Sequence, residues 1–290
     1  MRQSVLLPLL LAALLPLTAC ARAEEAPETP EADGTAVKQV RLVDTAQDGS
    51  LIVAGEARGD VLTLSPDEVS ILWDGVERSP EALRDGMLLE VGYGGTILET
   101  YPAQFYQPRS ITVLEEGEDL CGLYLQVLND LWADALGGES GVETIGVDAS
   151  ALEGLSEGEA DAMAYAFGMA HQTGLPLRGT FDELTEQGYI EPAGDGPGRW
   201  PGGALFRLEG SADTGFQVCC WTGTEVIWRC SAAQDAAGNW SYRTDSAALA
   251  CGGDRVLPGA CAGRGRSDAA YGGGEIDERP KGGGCHHHRA

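Results

Sequence analysis

The chain has 290 residues, with 19 Lys and Arg against 45 Asp and Glu, and a formal net charge of −26. This length suffices for about two packed domains, and a content of 43% hydrophobic residues is typical of a globular protein. Because such a charge repels phosphate backbones, the composition argues against nucleic acid as a partner.

Residues 1–19 are predicted to be an export signal. Arg2 precedes an apolar run, Val5–Leu17, that is too short to cross a hydrocarbon core of ~30 Å as a stable helix. The run ends in Leu-Thr-Ala-Cys, residues 17–20, which resembles the bacterial lipobox. The resemblance implies that Cys20 becomes the N-terminus and carries acyl chains that anchor it in the membrane. An ordinary secretory peptide with an unmodified cysteine is the alternative.

Residues 20–36 are predicted to be an acidic tether. The segment is rich in Pro, Glu and Ala and contains no large apolar side chain, so it cannot support a core. No later hydrophobic stretch approaches 18 residues. We therefore expect the rest of the chain on the extracytoplasmic face of the bacterial cell membrane.

Residues 37–115 are predicted to form a small OB-like β-barrel, and the pattern equally allows an SH3-like barrel. Short runs of alternating apolar residues are separated by Gly, Asp and Pro. A brief helix is expected after Ser79, which is followed by Pro80. The predicted strands are Val37–Val43, Leu51–Ala54, Val61–Leu64, Val69–Trp73, Leu88–Tyr93 and Ser110–Leu114.

Two stretches of this region resemble a known family. Residues 86–91 read Gly-Met-Leu-Leu-Glu-Val, and residues 94–104 read Gly-Gly-Thr-Ile-Leu-Glu-Thr-Tyr-Pro-Ala-Gln. They resemble the YobA-like domain of Gram-positive lipoproteins, over roughly residues 37–115. The resemblance implies an OB-like fold and a surface lipoprotein, and it implies no activity.

The segment around residues 101–108 is predicted to be the contact surface for a peptide or a sugar. It combines aromatic side chains with glutamine and carries few charges. Its candidate contact residues are Tyr101, Gln104, Phe105 and Tyr106. Oligonucleotide binding is not favoured, because residues 37–115 hold six cations and thirteen acids. Aromatic residues of such a region also serve a barrel core, which is the competing interpretation.

Residues 119–250 are predicted to form an α+β domain in which helices precede an antiparallel meander. Helices are expected from Leu120, from Ser156 and from Thr180, the last two with a capping box formed by a glutamate three residues later. The predicted strands are Thr144–Val147, Ala204–Leu208, Phe216–Trp221, Thr224–Cys230 and Trp240–Arg243.

The sequence contains no motif for a catalytic site, and we predict no catalytic residue, metal site or cofactor. His171 is the one histidine outside the run at 286–288, and its place in the last turn of a helix indicates a structural role. Paired carboxylates would be the remaining route to an enzyme. With 45 acidic residues in the chain, however, a pair by itself indicates nothing.

Seven cysteines remain besides Cys20, which is an odd number. A hairpin with a two-residue turn at residues 222–223 would place Cys219 opposite Val226 and would leave Cys230 without a cysteine partner. We therefore expect buried thiols with at most one disulfide. The spacing of these cysteines matches no zinc-binding motif.

Residues 251–290 are predicted to be a Gly-rich disordered tail. It ends in Cys285 followed by three histidines, which allows a metal-binding tail. Translation of a GC-rich gene out of frame is the other explanation of this composition.

These observations predict a lipid-anchored extracytoplasmic protein that binds an envelope protein, or a peptide or sugar ligand. A regulator that binds a membrane sensor protein shares every feature of this prediction. The alternative class is an extracytoplasmic hydrolase using paired carboxylates. Two acids with raised pKa values in one apolar cleft would favour that alternative.

Overall fold

The computed structural model describes residues 35–136, 141–193, 196–245 and 248–250. The first half of this chain forms one nine-stranded sheet, in the order β5-β4-β9-β6-β1-β2-β3-β8-β7. Pairs β3–β8 and β4–β9 are parallel, and the other pairs are antiparallel. The strands are β1 (Ala36–Thr45), β2 (Leu51–Ala54), β3 (Val61–Leu64), β4 (Ser70–Trp73), β5 (Val76–Arg78), β6 (Leu88–Tyr93), β7 (Ile97–Leu98), β8 (Ala103–Phe105) and β9 (Ser110–Glu115).

The OB-like barrel expected from the sequence is not confirmed. The described strands form an open path that ends at β5 and β7, and no described pairing joins these two ends. One face of the sheet nevertheless buries a core of its own. That core contains residues of seven strands, among them Val40, Leu62, Ile71, Leu89 and Ile111.

The helix expected after Ser79 is a single 3-10 turn, Pro80–Ala82. The Ser79 side chain makes no capping hydrogen bond, and Leu83 returns to an extended backbone with ψ of 143°. Pro80 therefore starts a turn that the next residues do not continue.

The second half of the described chain forms a seven-stranded sheet, ordered β11-β10-β14-β15-β16-β17, with β18 paired to β16. Strand β10 is parallel to β11 and to β14, and the remaining pairs are antiparallel. A small hairpin of β12 and β13 is separate. The strands are β10 (Thr144–Leu152), β11 (Leu177–Arg178), β12 (Glu191–Ala193), β13 (Gly196–Arg199), β14 (Gly203–Ser211), β15 (Gly215–Trp221), β16 (Glu225–Gln234), β17 (Trp240–Thr244) and β18 (Ala248–Ala250).

Three helices complete the described fold: α1 (Leu120–Leu136), α2 (Glu157–Ala170) and α3 (Phe181–Glu186). Both predicted capping boxes are confirmed, at Ser156 for α2 and at Thr180 for α3. Asp119 starts α1 by accepting a hydrogen bond from the Gly122 N–H at 2.7 Å. No described helix has the length and apolarity needed to cross a membrane. The fold class is mixed α+β, as predicted.

Helices α1 and α2 share one core with both sheets. Val43 and Ile52 of the first sheet belong to the same buried cluster as Phe167 of α2 and Phe206 and Val218 of the second sheet. A smaller cluster on the other face of the second sheet contains α3. The segment 116–119 connects β9 to α1. The predicted division into two domains at this segment stays a prediction, and one buried cluster includes residues from both sides of it.

Candidate functional site

A cleft of about 870 Å³ opens where three segments meet. These are the turn 83–87 before β6, the segment 115–119 before α1, and the tip of the β16–β17 hairpin. Its volume lies in the range of small-molecule sites. The charged residues that line it are Arg84, Asp85, Glu115, Glu116, Glu118 and Asp119. Five of these six are acids, so the cleft favours a cation.

Close backbone packing holds the turn against the segment before α1. Gly86 N–H donates to the Leu42 carbonyl at 2.8 Å, and Arg41 Nη1 donates to the Gly86 carbonyl at 2.6 Å. Gly86 has φ of +86°, and a Cβ atom there would lie 2.7 Å from the Asp119 backbone nitrogen. Only glycine fits this conformation and this approach.

Three aspartates around the cleft have raised pKa values. Burial raises the pKa of Asp85 to about 7, with further contributions from Asp119 and Asp44. Burial also raises the pKa of Asp119, although a hydrogen bond from Gly122 opposes the shift. Burial raises the pKa of Asp44 as well. These carboxylates lie near one another without a neutralising cation among the causes of their shifts, so a bound cation would relieve their repulsion.

Trp240 adds an indole group to the same cleft. It lines the cleft, and its Nε1 atom is buried without a hydrogen-bond partner among the described residues. A buried N–H donor without a partner is costly. The Trp240 Nε1 atom is therefore an unsatisfied donor in the wall of the cleft.

The cleft continues into two neighbouring hollows. The first, of about 400 Å³, shares Asp85 and Gln126 with the cleft and also contains Asp44. The second, of about 610 Å³, contains Asp44 and the C-terminal part of α2, including Met169. Both hollows lie beside the end of β1 and α2, and the first also contacts α1.

The predicted contact residues Tyr101, Gln104, Phe105 and Tyr106 lie elsewhere, on and beside β8. Tyr101 and Tyr106 are 44% and 45% exposed, and Gln104 is also exposed. Phe105 is only 6% exposed, because its ring packs against Tyr93 at 5.1 Å in the core of the first sheet. The Phe105 side chain therefore contributes to the core, and the surface role of the other three stays a prediction.

His171 takes the structural position expected for it, at the C-terminal end of α2. Its ring stacks on Trp132 with centroids 3.9 Å apart, and its Nε2 atom lies 2.9 Å from Asn129 Oδ1. Burial lowers its pKa. The neutral, stacked ring is the favoured form, so aromatic packing accounts for His171 better than the helix dipole does.

The four described cysteines, Cys121, Cys219, Cys220 and Cys230, are free and buried. Burial raises the pKa of each, to about 12 for Cys220 and to about 11 for Cys230, which makes them unreactive thiols. Cys251, Cys261 and Cys285 lie outside the described residues, together with Cys20 and the predicted tail.

The predicted register of the β15–β16 hairpin is wrong by one residue. Cys219 lies opposite Ile227 rather than Val226, and Cys220 lies opposite Val226. Three loop residues connect the strands, and the Thr222 N–H donates to the Thr224 carbonyl. Cys230 lies opposite Phe216, so its lack of a cysteine partner is confirmed.

A buried ion pair that sequence reasoning missed links both sheets to α2. Asp161 on α2 is 4% exposed, and its Oδ1 atom lies 3.0 Å from Arg178 Nη1 on β11. Its Oδ2 atom accepts a hydrogen bond from Gly59 N–H in the β2–β3 loop. No local pattern in the sequence indicates this pair, because its three segments are far apart in the chain.

Within the described ranges, no group of three or more His, Cys, Asp or Glu residues is arranged to hold a metal ion. The chain matches no protein-family model, and no curated protein or solved structure matches it. The candidate site therefore rests on the geometry and the electrostatics of the cleft.

Proposed function

We propose that the chain is a lipid-anchored extracytoplasmic binding protein of the cell envelope, with its ligand site in the acidic cleft. The observation that carries this proposal is the cleft of about 870 Å³ with five acids and one arginine in its lining. The lipobox-like sequence before Cys20 and the YobA-like stretches at residues 86–104 support an exported lipoprotein.

The charge of the lining favours a ligand that carries positive charge, such as a basic segment of an envelope protein or a basic peptide. Burial raises the pKa of both Asp85 and Asp119, and Asp119 raises the pKa of Asp85 further, so an ammonium or guanidinium group bound beside them would be attracted by both. Gln126 and Asn239 add neutral hydrogen-bonding groups at the same lining.

The ligand site is tested by binding of a hexalysine peptide to the full chain at low salt, followed by calorimetry. The double variant Asp85→Asn with Asp119→Asn should bind at least about tenfold more weakly, which corresponds to ~1.4 kcal/mol. Asparagine keeps the start of α1, since it is also a preferred N-cap residue.

The matched control is Asp67→Asn with Glu68→Gln, two exposed acids that do not line the cleft. It also replaces two carboxyl groups by amides and should leave the affinity within about twofold. Equal losses in both double variants would show that hexalysine responds to net charge alone, and would contradict the ligand site.

The anchor is tested by mass spectrometry of the Cys20 peptide and by cell fractionation. A diacylglycerol adduct on Cys20, and release of Cys20→Ala from the membrane fraction, are the expected results. An unmodified Cys20 peptide, or a Cys20→Ala chain that stays in the membrane fraction, would contradict the anchor.

Hydrolysis by a pair of carboxylates is a second candidate, favoured by the pKa of about 7 for Asp85. A carboxyl that is half protonated near neutral pH is suited to donate a proton, while Asp119 would act as the second carboxylate. The polar lining differs from the apolar cleft that the sequence-based argument required.

Release of p-nitrophenol from p-nitrophenyl β-glucoside, used as the probe substrate, tests this candidate. Activity that disappears in Asp85→Asn and persists in Asp67→Asn would support it. A rate of p-nitrophenol release no higher than that of spontaneous hydrolysis would contradict glycoside hydrolysis by this chain.

A further inference from the structure

The second hollow beside the acidic cleft has a less charged lining than the cleft. It lies between the β1–β2 turn and the C-terminal part of α2, and its volume of about 610 Å³ is in the range of small-molecule sites. Met169, which is 56% exposed, and the partly buried Tyr165 line it from successive turns of α2. A flexible thioether beside an aromatic ring is suited to bind another aromatic ring, because both groups make favourable contacts with one.

Two residues of the predicted contact segment adjoin the second hollow. The Tyr101 ring packs edge-on against the Tyr165 ring, with centroids 6.0 Å apart. Gln104 on β8 is the register partner of Thr63 on β3, and Thr63 lines the hollow. Tyr101 and Gln104 are both exposed. They therefore extend the aromatic and hydrogen-bonding surface beyond the hollow itself.

The first hollow lies between the cleft and the second hollow. Asp85 and Gln126 line both the cleft and the first hollow. Asp44 and Ala170 line both the first hollow and the second. A ligand that leaves the cleft along α1 therefore reaches the second hollow by way of the first.

These three spaces match the length and the charge of an extended basic peptide. The linings of the cleft and the first hollow include residues from Asp119 to Asp130, which corresponds to about 16 Å along α1, or about five extended residues. Among the described residues, the linings of the two hollows contain no Lys, Arg or His. Their acids are Asp44, Asp48, Asp85 and Asp130. A positively charged segment therefore meets carboxylates and no cation of the chain in either hollow.

We propose that the cleft and the two hollows bind one extended peptide segment, whose basic residues lie in the cleft and the first hollow and whose aromatic residue lies in the second hollow against Tyr165 and Met169. The inference rests on the proposed ligand site in the cleft and adds a second anchoring point to it. An aromatic side chain in a pocket is typical of the residues that contribute most to the affinity of a protein ligand.

Calorimetry with three peptides on the full chain tests this anchor. The peptides are hexalysine, hexalysine followed by Gly-Ser-Gly-Ser-Trp, and hexalysine followed by Gly-Ser-Gly-Ser-Ser. The tryptophan peptide should bind at least about fivefold more tightly than the serine peptide, because only its last side chain can contact Tyr165 and Met169. Hexalysine should bind within about twofold of the serine peptide, since both carry the same basic residues.

Two variants act on the second hollow in different ways. Met169→Ser removes the exposed thioether, and Ala170→Trp places an indole at an exposed position that lines both hollows. Each variant should reduce the advantage of the tryptophan peptide over the serine peptide to within about twofold. The matched control is Leu175→Ser, at a residue that is 57% exposed and lines neither the cleft nor the two hollows. It should keep the fivefold advantage.

The outcomes separate this inference from the proposed cleft site. Hexalysine binding that depends on Asp85 and Asp119, combined with equal affinities for the tryptophan and serine peptides, would overturn the aromatic anchor and leave the cleft site. A tryptophan advantage that persists in both Met169→Ser and Ala170→Trp would overturn the anchor, and so would an equal loss of that advantage in Leu175→Ser. Failure of all three peptides to bind would overturn both proposals.

Discussion

One aspartate of this molecule is buried against a fixed cation, whereas three others are partly buried without one. Asp161 is 4% exposed and lies between Arg178 on β11 and Gly59 N–H in the β2–β3 loop. Asp44, Asp85 and Asp119 are less buried, and their pKa values are raised by burial first, with Asp44 adding to the shifts of Asp85 and Asp119 and with no cation opposing them.

The comparison separates a structural role from a binding role. A carboxylate with a fixed cation and a fixed donor stabilises the contact between layers, and its removal leaves a charge unpaired. Carboxylates that are partly buried near other carboxylates, with no cation beside them, carry an electrostatic cost that a bound cation can relieve. The same residue type therefore indicates a structural link at one place and a ligand site at the other.

The largest effect is expected from Asp161→Ala. It removes the buried partner of Arg178, whose side chain is 12% exposed and whose Nε atom has no hydrogen-bond partner among the described residues. Leaving this guanidinium without its buried partner should lower the free energy of unfolding by about 3–5 kcal/mol, measured by urea denaturation.

The control for that variant is Glu157→Gln, at the exposed second partner of Arg178. The Glu157 side chain is 59% exposed, and its Oε2 atom lies 3.6 Å from Arg178 Nη2. Its loss should cost less than about 0.5 kcal/mol. A similar cost for both variants would mean that the Asp161 pair is no stronger than a surface ion pair.

An intermediate loss in the free energy of unfolding is expected from Arg41→Met. Arg41 contacts Glu159 on α2 and the turn that contains Asp85. Arg41 Nε lies 3.0 Å from Glu159 Oε1, and its Nη1 atom holds the turn through the Gly86 carbonyl. The Glu159 side chain is only 12% exposed, so loss of its cation should cost about 2 kcal/mol in the same denaturation experiment.

Arg84→Met is the matched control, since Arg84 is exposed and lines the cleft. It removes the same charge by the same substitution and should change the free energy of unfolding by less than about 0.5 kcal/mol. If Arg84→Met costs as much as Arg41→Met, the specific contacts of Arg41 do not hold the turn.

A smaller, stabilising effect is expected from Asp85→Asn, and it should depend on pH. The folded-state pKa of Asp85, about 7, lies above its ordinary value of 3.8. The folded state therefore binds the proton more tightly, and the stability contribution of Asp85 falls as the pH rises from about 4 to about 7. Asparagine should raise the free energy of unfolding by about 1–2 kcal/mol at pH 8 and by nearly nothing at pH 4.

Thermal unfolding of the wild type and Asp85→Asn at both pH values measures this dependence. A gain that is the same at pH 4 and pH 8 would show that packing, rather than the carboxylate charge, distinguishes the variant. A loss at pH 8 would place Asp85 with Asp161, among the carboxylates that stabilise the fold.

The elements that depend on local sequence could be predicted. Strands β2, β3 and β6 have the predicted bounds, and α2 and α3 start at their predicted capping boxes. The short strands β5, β7, β8 and β11 were missed, because segments of two or three residues become strands only when a neighbouring strand pairs with them. The open first sheet was missed for the same reason, since the short strands β5 and β7 form its edges.

The candidate site could not be predicted from the local sequence around its residues. Asp119 is recognisable in the sequence as a helix cap, but nothing local places Asp44 and Asp85 beside it. The three residues lie at the end of β1, in the turn before β6 and before α1, so only the tertiary fold brings them together. Gly86 is the one sequence signal nearby, because its turn requires glycine.

The pKa of the Asp85 carboxyl, measured by carbon-13 NMR in the full chain with and without hexalysine, tests the account most directly. The account predicts a pKa of about 7 without the peptide and a clearly lower value when the peptide is bound, because a cation in the cleft stabilises the ionised form. A pKa near the ordinary value of 3.8, or one that the bound peptide does not change, would contradict a cation site in the cleft.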